Sequence, residues 1–298
     1  MAVSRVRDAR TIATEATTRT VEGPAGRTVA YAEYGDPDGT PVLFFHGTPG
    51  SRLLGALYAD AADERAVRLL AVDRPGYGRS SPRPDRTLAD TPSFATPVLD
   101  DAGVEEAGVV GFSGGGPHAL ALATSRGERV RSVALVGSAV PPDCVENRPR
   151  PQRLLEGMAT RAPWLLGGLL RVQRWLAGRS TDVVTSQYAE NPDSVPAEVA
   201  EVVRRDFREA LARSRNGVVV ESRLFGRAWD VDPAAVDVPV VSWHGERDGN
   251  VPLAAARRFA DRLSGDLRVL DGADHLGSLL GARESVLERL ALPAPERD

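Results

Sequence analysis

Eleven residues, Val109-Val110-Gly111-Phe112-Ser113-Gly114-Gly115-Gly116-Pro117-His118-Ala119, constrain this chain more than any other stretch. An apolar run from Ala107 to Val110 reads as a buried strand. A Gly-x-Ser-x-Gly turn follows at Gly111 to Gly115, and Ala119 to Ala123 opens a helical pattern. Strand, tight turn and helix is the context in which this motif carries weight. A serine on so sharp a turn sits in strained backbone, and only small neighbours let the chain pass closely. The turn lifts the Ser113 hydroxyl above the sheet edge. The free N–H groups of the helix start lie behind it and favour negative charge.

Length and composition bound the rest. The 298 residues, 42% of them hydrophobic, suffice for one large α/β domain or two small ones. The net charge of −4 speaks against nucleic acid or an anionic membrane surface as partner. Lysine is absent and arginine carries all the basic charge. The single cysteine, Cys144, rules out an intrachain disulfide and fits a reducing, cytoplasmic setting. No run approaches the ~18 apolar residues of a membrane span. Met1 to Thr20 is rich in Arg and Thr and reads as a loose terminus rather than a secretory signal.

Along the chain, strand patterns alternate with helical ones. Strands are expected at Arg27 to Tyr34, Pro41 to Phe45, Val67 to Val72, Ala107 to Val110 and Val130 to Val136. Helices are expected at Ser51 to Ala66 and, irregular because of Pro92 and Pro97, at Thr87 to Ala102. Strands apolar throughout predict a mostly parallel sheet covered on both faces. The rhythm breaks from Pro141 to Asp232, where only Val218-Val219-Val220 reads as a short strand. It resumes with a strand at Val238 to Trp243, a helix at Leu253 to Leu263, a strand at Leu267 to Leu270 and a closing helix at Leu276 to Leu290. The division is a core of residues 20–140 and 233–298 interrupted by a helical insertion, 141–232.

A serine hydroxyl is a weak nucleophile without a base, and the base needs an orienting partner. Histidine is the natural base, and the chain has four. His46, His118 and His244 read as structural. His275 lies in Asp271-Gly272-Ala273-Asp274-His275, a loop between the last strand and the last helix, where it can reach the same sheet edge as Ser113. The acid belongs after the preceding strand, in His244-Gly245-Glu246-Arg247-Asp248-Gly249, and Asp248 is preferred there over Glu246 and over Asp274. No metal motif, phosphate loop or dinucleotide fingerprint is present, and no cofactor is expected.

The order Ser113, Asp248, His275, together with His46-Gly47-Thr48-Pro49-Gly50 and Asp73-Arg74-Pro75-Gly76-Tyr77-Gly78, resembles the α/β-hydrolase fold family from about Val29 to Leu290. The resemblance implies an eight-stranded, mostly parallel sheet with helices on both faces and a helical cap between strands six and seven. It also implies an oxyanion hole built from the backbone N–H groups of Thr48 and Gly114. Epoxide-opening and dehalogenating members carry Asp at the elbow, so Ser113 turns the reading away from them. Prolyl aminopeptidases of the family usually differ at Thr48 and in the Asp73-Arg74-Pro75 turn.

The expected activity is cofactor-free hydrolysis of a carboxylic ester or lactone of a small, partly apolar substrate. The rivals are hydrolysis of a carbon–carbon bond in a diketone and a non-hydrolytic cyclase or ligand-binding member of the fold. For carbon–carbon cleavage, Arg52 and Arg79 are the candidate anchoring cations. Trp164 and Trp175 are the candidate substrate-binding residues of the cap. Ala162 to Ala177 is amphipathic and able to touch a membrane, but covering an apolar site mouth is the simpler account. The partner expected is a small-molecule substrate, and a homodimer is allowed.

Overall fold

Four apolar runs become the centre of one sheet. The strands, in a computed structural model describing residues 17–146, 150–263 and 265–292, are β1 (Thr18–Gly23), β2 (Arg27–Gly35), β3 (Thr40–Phe45), β4 (Val67–Val72), β5 (Ala107–Phe112), β6 (Val130–Val136), β7 (Val240–Gly245) and β8 (Asp266–Leu270). Residues 1–16, most of the stretch read as a loose terminus, lie outside the described residues, but Thr18 to Thr20 already belong to β1. The spatial order is β1-β2-β4-β3-β5-β6-β7-β8. The pairs β1/β2 and β2/β4 are antiparallel and the other five are parallel.

Neighbouring side chains on a strand point to opposite faces, and both faces here are covered, so the runs are apolar throughout. Phe44 packs with Val110, Trp243 and Leu279 in one core, and Phe45 with Val109, Leu120 and Phe259 in the other. The helices are α1 (Ala59–Glu64), α2 (Pro92–Asp101), α3 (Gly116–Ser125), α4 (Arg150–Arg161), α5 (Pro163–Leu176), α6 (Asp182–Thr185), α7 (Ala197–Ala210), α8 (Asn216–Phe225), α9 (Leu253–Arg262) and α10 (His275–Ala291). The five from α4 to α8 lie between β6 and β7, with no strand among the described residues there.

Three local expectations are corrected. Val218 to Val220 are not a strand but part of α8. Their β-branched propensity yields to packing, since all three are buried, against two different clusters. The Thr87 to Ala102 helix starts only at Pro92, whose fixed φ suits a first helical turn. Ser51 to Ala66 opens as 3₁₀ turns over Arg52–Tyr58 before α1.

The chain leaves β3 for β4 on one side and returns to β5 on the other. The strand order therefore reverses between β3 and β5, where loops diverge beyond the carboxyl ends of the strands and leave a crevice. Thr48 follows β3 and Ser113 follows β5, so the two loops meet at that reversal.

Candidate active site

Ser113 has φ of +51°, a left-handed conformation that a side chain adopts only under constraint. The constraint is the close passage of β5 into α3. A Cβ on Gly111 would come within 2.5 Å of Gly116 Cα, and one on Gly115 would strike the Phe45 carbonyl. The two motif glycines are therefore steric requirements of the turn.

The hydroxyl of Ser113 lies 2.9 Å from His275 Nε2, and His275 Nδ1 lies 2.7 Å from Asp248 Oδ2. With Nδ1–H donating to the carboxylate, Nε2 is left free to accept the serine proton. Asp248 Oδ1 accepts the backbone N–H groups of Asn250 and Val251, both at 2.9 Å, which fixes its rotamer. Burial pushes the Asp248 carboxyl up, but His275, together with His244 and the Val251 N–H, more than offsets this and holds it below the ordinary carboxylate value. His275 is buried between Phe112, with ring centroids 4.9 Å apart, and Tyr188, stacked at 6.1 Å. Gly137, just past the end of β6, lies directly against the pair: a Cβ there would sit 3.2 Å from His275 Nδ1.

Thr48 touches the elbow, for a Cβ on Gly114 would collide with the Thr48 hydroxyl. That hydroxyl donates to Glu221 of α8. Glu221 is fully buried and is also reached by Arg74 Nε at 2.8 Å, Arg86 Nη2 at 2.7 Å, Tyr77 Oη at 2.7 Å and His118 Nε2 at 3.2 Å. Arg74 further donates to the carbonyls of His46 and Gly47. Burial opposes ionisation of Glu221, but the two guanidinium groups win and hold its carboxyl well below the ordinary value. Burial likewise lowers His118 to about 4, so it is neutral at pH 7. Two buried guanidinium charges thus face one carboxylate beneath the loop of Thr48.

A second carboxyl of the insertion grips the same loop. Asp206 of α7 accepts both the backbone N–H and the hydroxyl of Ser51, each at 2.7 Å. Burial, with Asp73 nearby, pushes Asp206 from the ordinary 3.8 to about 8. The folded chain therefore holds this proton more tightly than the unfolded one. The contribution of Asp206 to stability is full below the ordinary carboxylate range and declines as pH rises from about 4 to about 8. Asp206→Asn keeps an acceptor for Ser51 and is expected to flatten that decline, by at most about 1.4 kcal/mol per pH unit. Urea melts of both proteins from pH 5 to pH 8.5 measure it, and parallel profiles would refute the assignment.

His46 lies buried, 2.7 Å from the Gly47 carbonyl through Nδ1, and His244 lies 2.9 Å from the Val251 carbonyl through Nε2; burial lowers both, so all three non-site histidines are packed structural groups. Glu246 accepts the Gly272 N–H, and Asp274 caps α10 through the Gly277 N–H. Arg52 is buried against Asp73 at 2.7 Å and Glu209 at 2.8 Å, and Arg79 is exposed beside Glu209. Trp164 and Trp175 do not line a closed site: they are 77% and 56% exposed. Eleven residues is about three helical turns, so both share the outer face of α5 while Leu166 and Leu170 face inward. The insertion's aromatics that reach the site are Tyr188 and Phe225, the latter 3.0 Å from where a Gly114 Cβ would be.

Residues 40–282 match the family model for the alpha/beta hydrolase fold. The chain is 42% identical over 112 residues to the dihydrolipoyllysine-residue acetyltransferase component of the acetoin cleaving system of Cupriavidus necator, a match covering 37% of this chain and 29% of that one. It therefore spans less than a third of that relative. It is 28% identical over 276 residues to the non-heme haloperoxidase of Rhodococcus erythropolis, covering 84% of this chain and 90% of the relative. Among solved structures it is similar to the enol-lactonase from Burkholderia xenovorans LB400, with a TM-score of 0.70 and 20% identity over 92% of this chain and all of that one.

Proposed function

We propose that this chain, which belongs to the alpha/beta hydrolase fold family, is a serine hydrolase that cleaves a carboxylic ester or lactone through an acyl-enzyme. The observation that carries the reading is the unbroken relay from Ser113 Oγ to His275 Nε2 and from His275 Nδ1 to Asp248 Oδ2, at 2.9 and 2.7 Å. In this reading Ser113 attacks the carbonyl while His275 takes its proton and then returns it to the departing alkoxide. Asp248 holds the imidazolium. The backbone N–H groups of Thr48 and Gly114 receive the oxyanion, where preorganised donors contribute most to rate. The buried surplus of positive charge under Thr48 favours the same developing anion.

In this reading the described residues of 20–140 and 233–298 make up the catalytic core, and those of 141–232 a cap that limits access. Its Tyr188 and Phe225 shape the apolar side of the site. Carbon–carbon cleavage needs a cation to anchor an enolate or carboxylate, and of the two candidates Arg52 is committed to Asp73 and Glu209 while Arg79 is exposed beside Glu209. This supports the ester reading over its rival. The test is a panel of p-nitrophenyl esters of graded acyl length, simple lactones and a vinylogous diketo acid. Turnover of esters or lactones well above the diketo acid is expected. Faster cleavage of the diketo acid, or no hydrolysis of any member, would reject the assignment.

A further inference from the structure

The outer face of α5 is the one large apolar surface that the fold leaves uncovered among the described residues. Trp164, Leu165, Leu169, Val172, Trp175 and Leu176 are all exposed, and Leu166, Leu170 and Ala177 anchor the opposite side of the helix. At 100° per residue the six exposed side chains fill one continuous arc of the helix, about 18 Å long, with an indole near each end. So large an exposed apolar stripe marks a contact surface rather than ordinary surface scatter.

Charge identifies the occupant. Residues 150–179 hold six arginines and one glutamate, a local net charge of +5 in a chain whose net charge is −4. The exposed Arg161, Arg171 and Arg179, and the half-buried Arg174, have no carboxylate partner among the described residues. The Arg179 guanidinium lies 3.4 Å over the Trp175 ring. Arg215 close by is lowered by burial and then by repulsion from Arg171 and Arg174, as expected of an uncompensated basic patch.

We propose that this face of α5 docks onto an anionic phospholipid surface, lying flat with its apolar stripe among the acyl chains and its arginines at the headgroups. A helix with an apolar arc, terminal tryptophans and basic flanks has the chemistry of an interfacial helix. No helix of the described residues is long and apolar enough to cross a membrane, so the contact is peripheral. A twofold dimer through the same face would set two basic patches against each other. The whole-chain charge of −4 concealed this surface, because the acidic residues lie elsewhere in the sequence.

The experiment is vesicle binding by the full chain, read by co-sedimentation and by the emission of the exposed tryptophans. Vesicles of phosphatidylcholine with about a third phosphatidylglycerol are expected to bind it and shift the emission blue, and pure phosphatidylcholine to bind it far more weakly. Leu165→Glu with Val172→Glu leaves both indole reporters in place and is expected to abolish binding. Arg171→Gln and Arg179→Gln are each expected to weaken it about fivefold. Circular dichroism confirms that each variant remains folded. No binding to the anionic vesicles, binding that all the variants retain, or a concentration-dependent dimer through this face in place of vesicle binding would each overturn the proposal. Vesicle association is read without turnover, so failure here leaves the hydrolase reading intact.

Discussion

Replacing Ser113 with alanine is expected to cut ester turnover by ~10³- to 10⁶-fold while leaving the fold intact. The hydroxyl is the reacting group, and its turn is dictated by Gly111 and Gly115 rather than by the serine side chain. His275→Ala is expected to cost about as much, because without Nε2 the hydroxyl has no acceptor at 2.9 Å. Asp248→Asn should cost somewhat less, since it spoils the orientation of His275 but leaves the base in place. Combining Ser113→Ala with His275→Ala should add little to either, for residues acting as a unit are far from additive. Single-turnover and steady-state rates for the two single variants and the double variant decide the matter. Losses that multiply would mean that the two residues act separately.

Glu221→Ala is expected to destabilise the chain by about 3–5 kcal/mol, the range for removing one partner of a buried ion cluster. Arg74 and Arg86 would be left buried with no carboxylate, and the hydroxyl of Thr48 would lose its acceptor. Glu221→Gln preserves the shape but not the charge and should lose a large part of the same stability. Arg86→Leu in the Glu221→Ala background should recover some of it by deleting the surplus charge, so that the double-mutant cycle shows strong coupling. Denaturant melts of these three variants and of Arg86→Leu alone give the values the cycle needs. A Glu221→Ala variant within about 0.5 kcal/mol of wild type, the range of ordinary surface substitutions, would remove Glu221 from its place as the strut between insertion and loop.

Sheet, elbow and relay were legible because their signals are local. An apolar run buried on both faces, a glycine pair around a serine, and a histidine at the start of the last helix can all be read within a dozen residues. Glu221, Asp206 and Tyr188 were not, because each acts across more than eighty residues of sequence on a partner in the core. A signal for two of them was nevertheless present. Glu221 stands between the buried Val218 to Val220 and Leu224, and Asp206 sits between Val203 and Phe207 on the inward face of α7. A carboxylate on the apolar side of an amphipathic helix must have a buried partner. Trp164 and Trp175 failed for the opposite reason. Their spacing places them on one face of a helix but not on which side of the molecule that face falls, and only the packing of Leu166 and Leu170 settles it.

The central claim, that Ser113 is a nucleophile activated by His275, is tested most directly by treating the native protein with a fluorophosphonate and mapping the adduct by mass spectrometry. A single stoichiometric adduct on Ser113, absent when the protein is denatured before labelling and absent in His275→Ala, is the expected result. A native protein left unlabelled at Ser113, or labelled there equally well without His275, would contradict it.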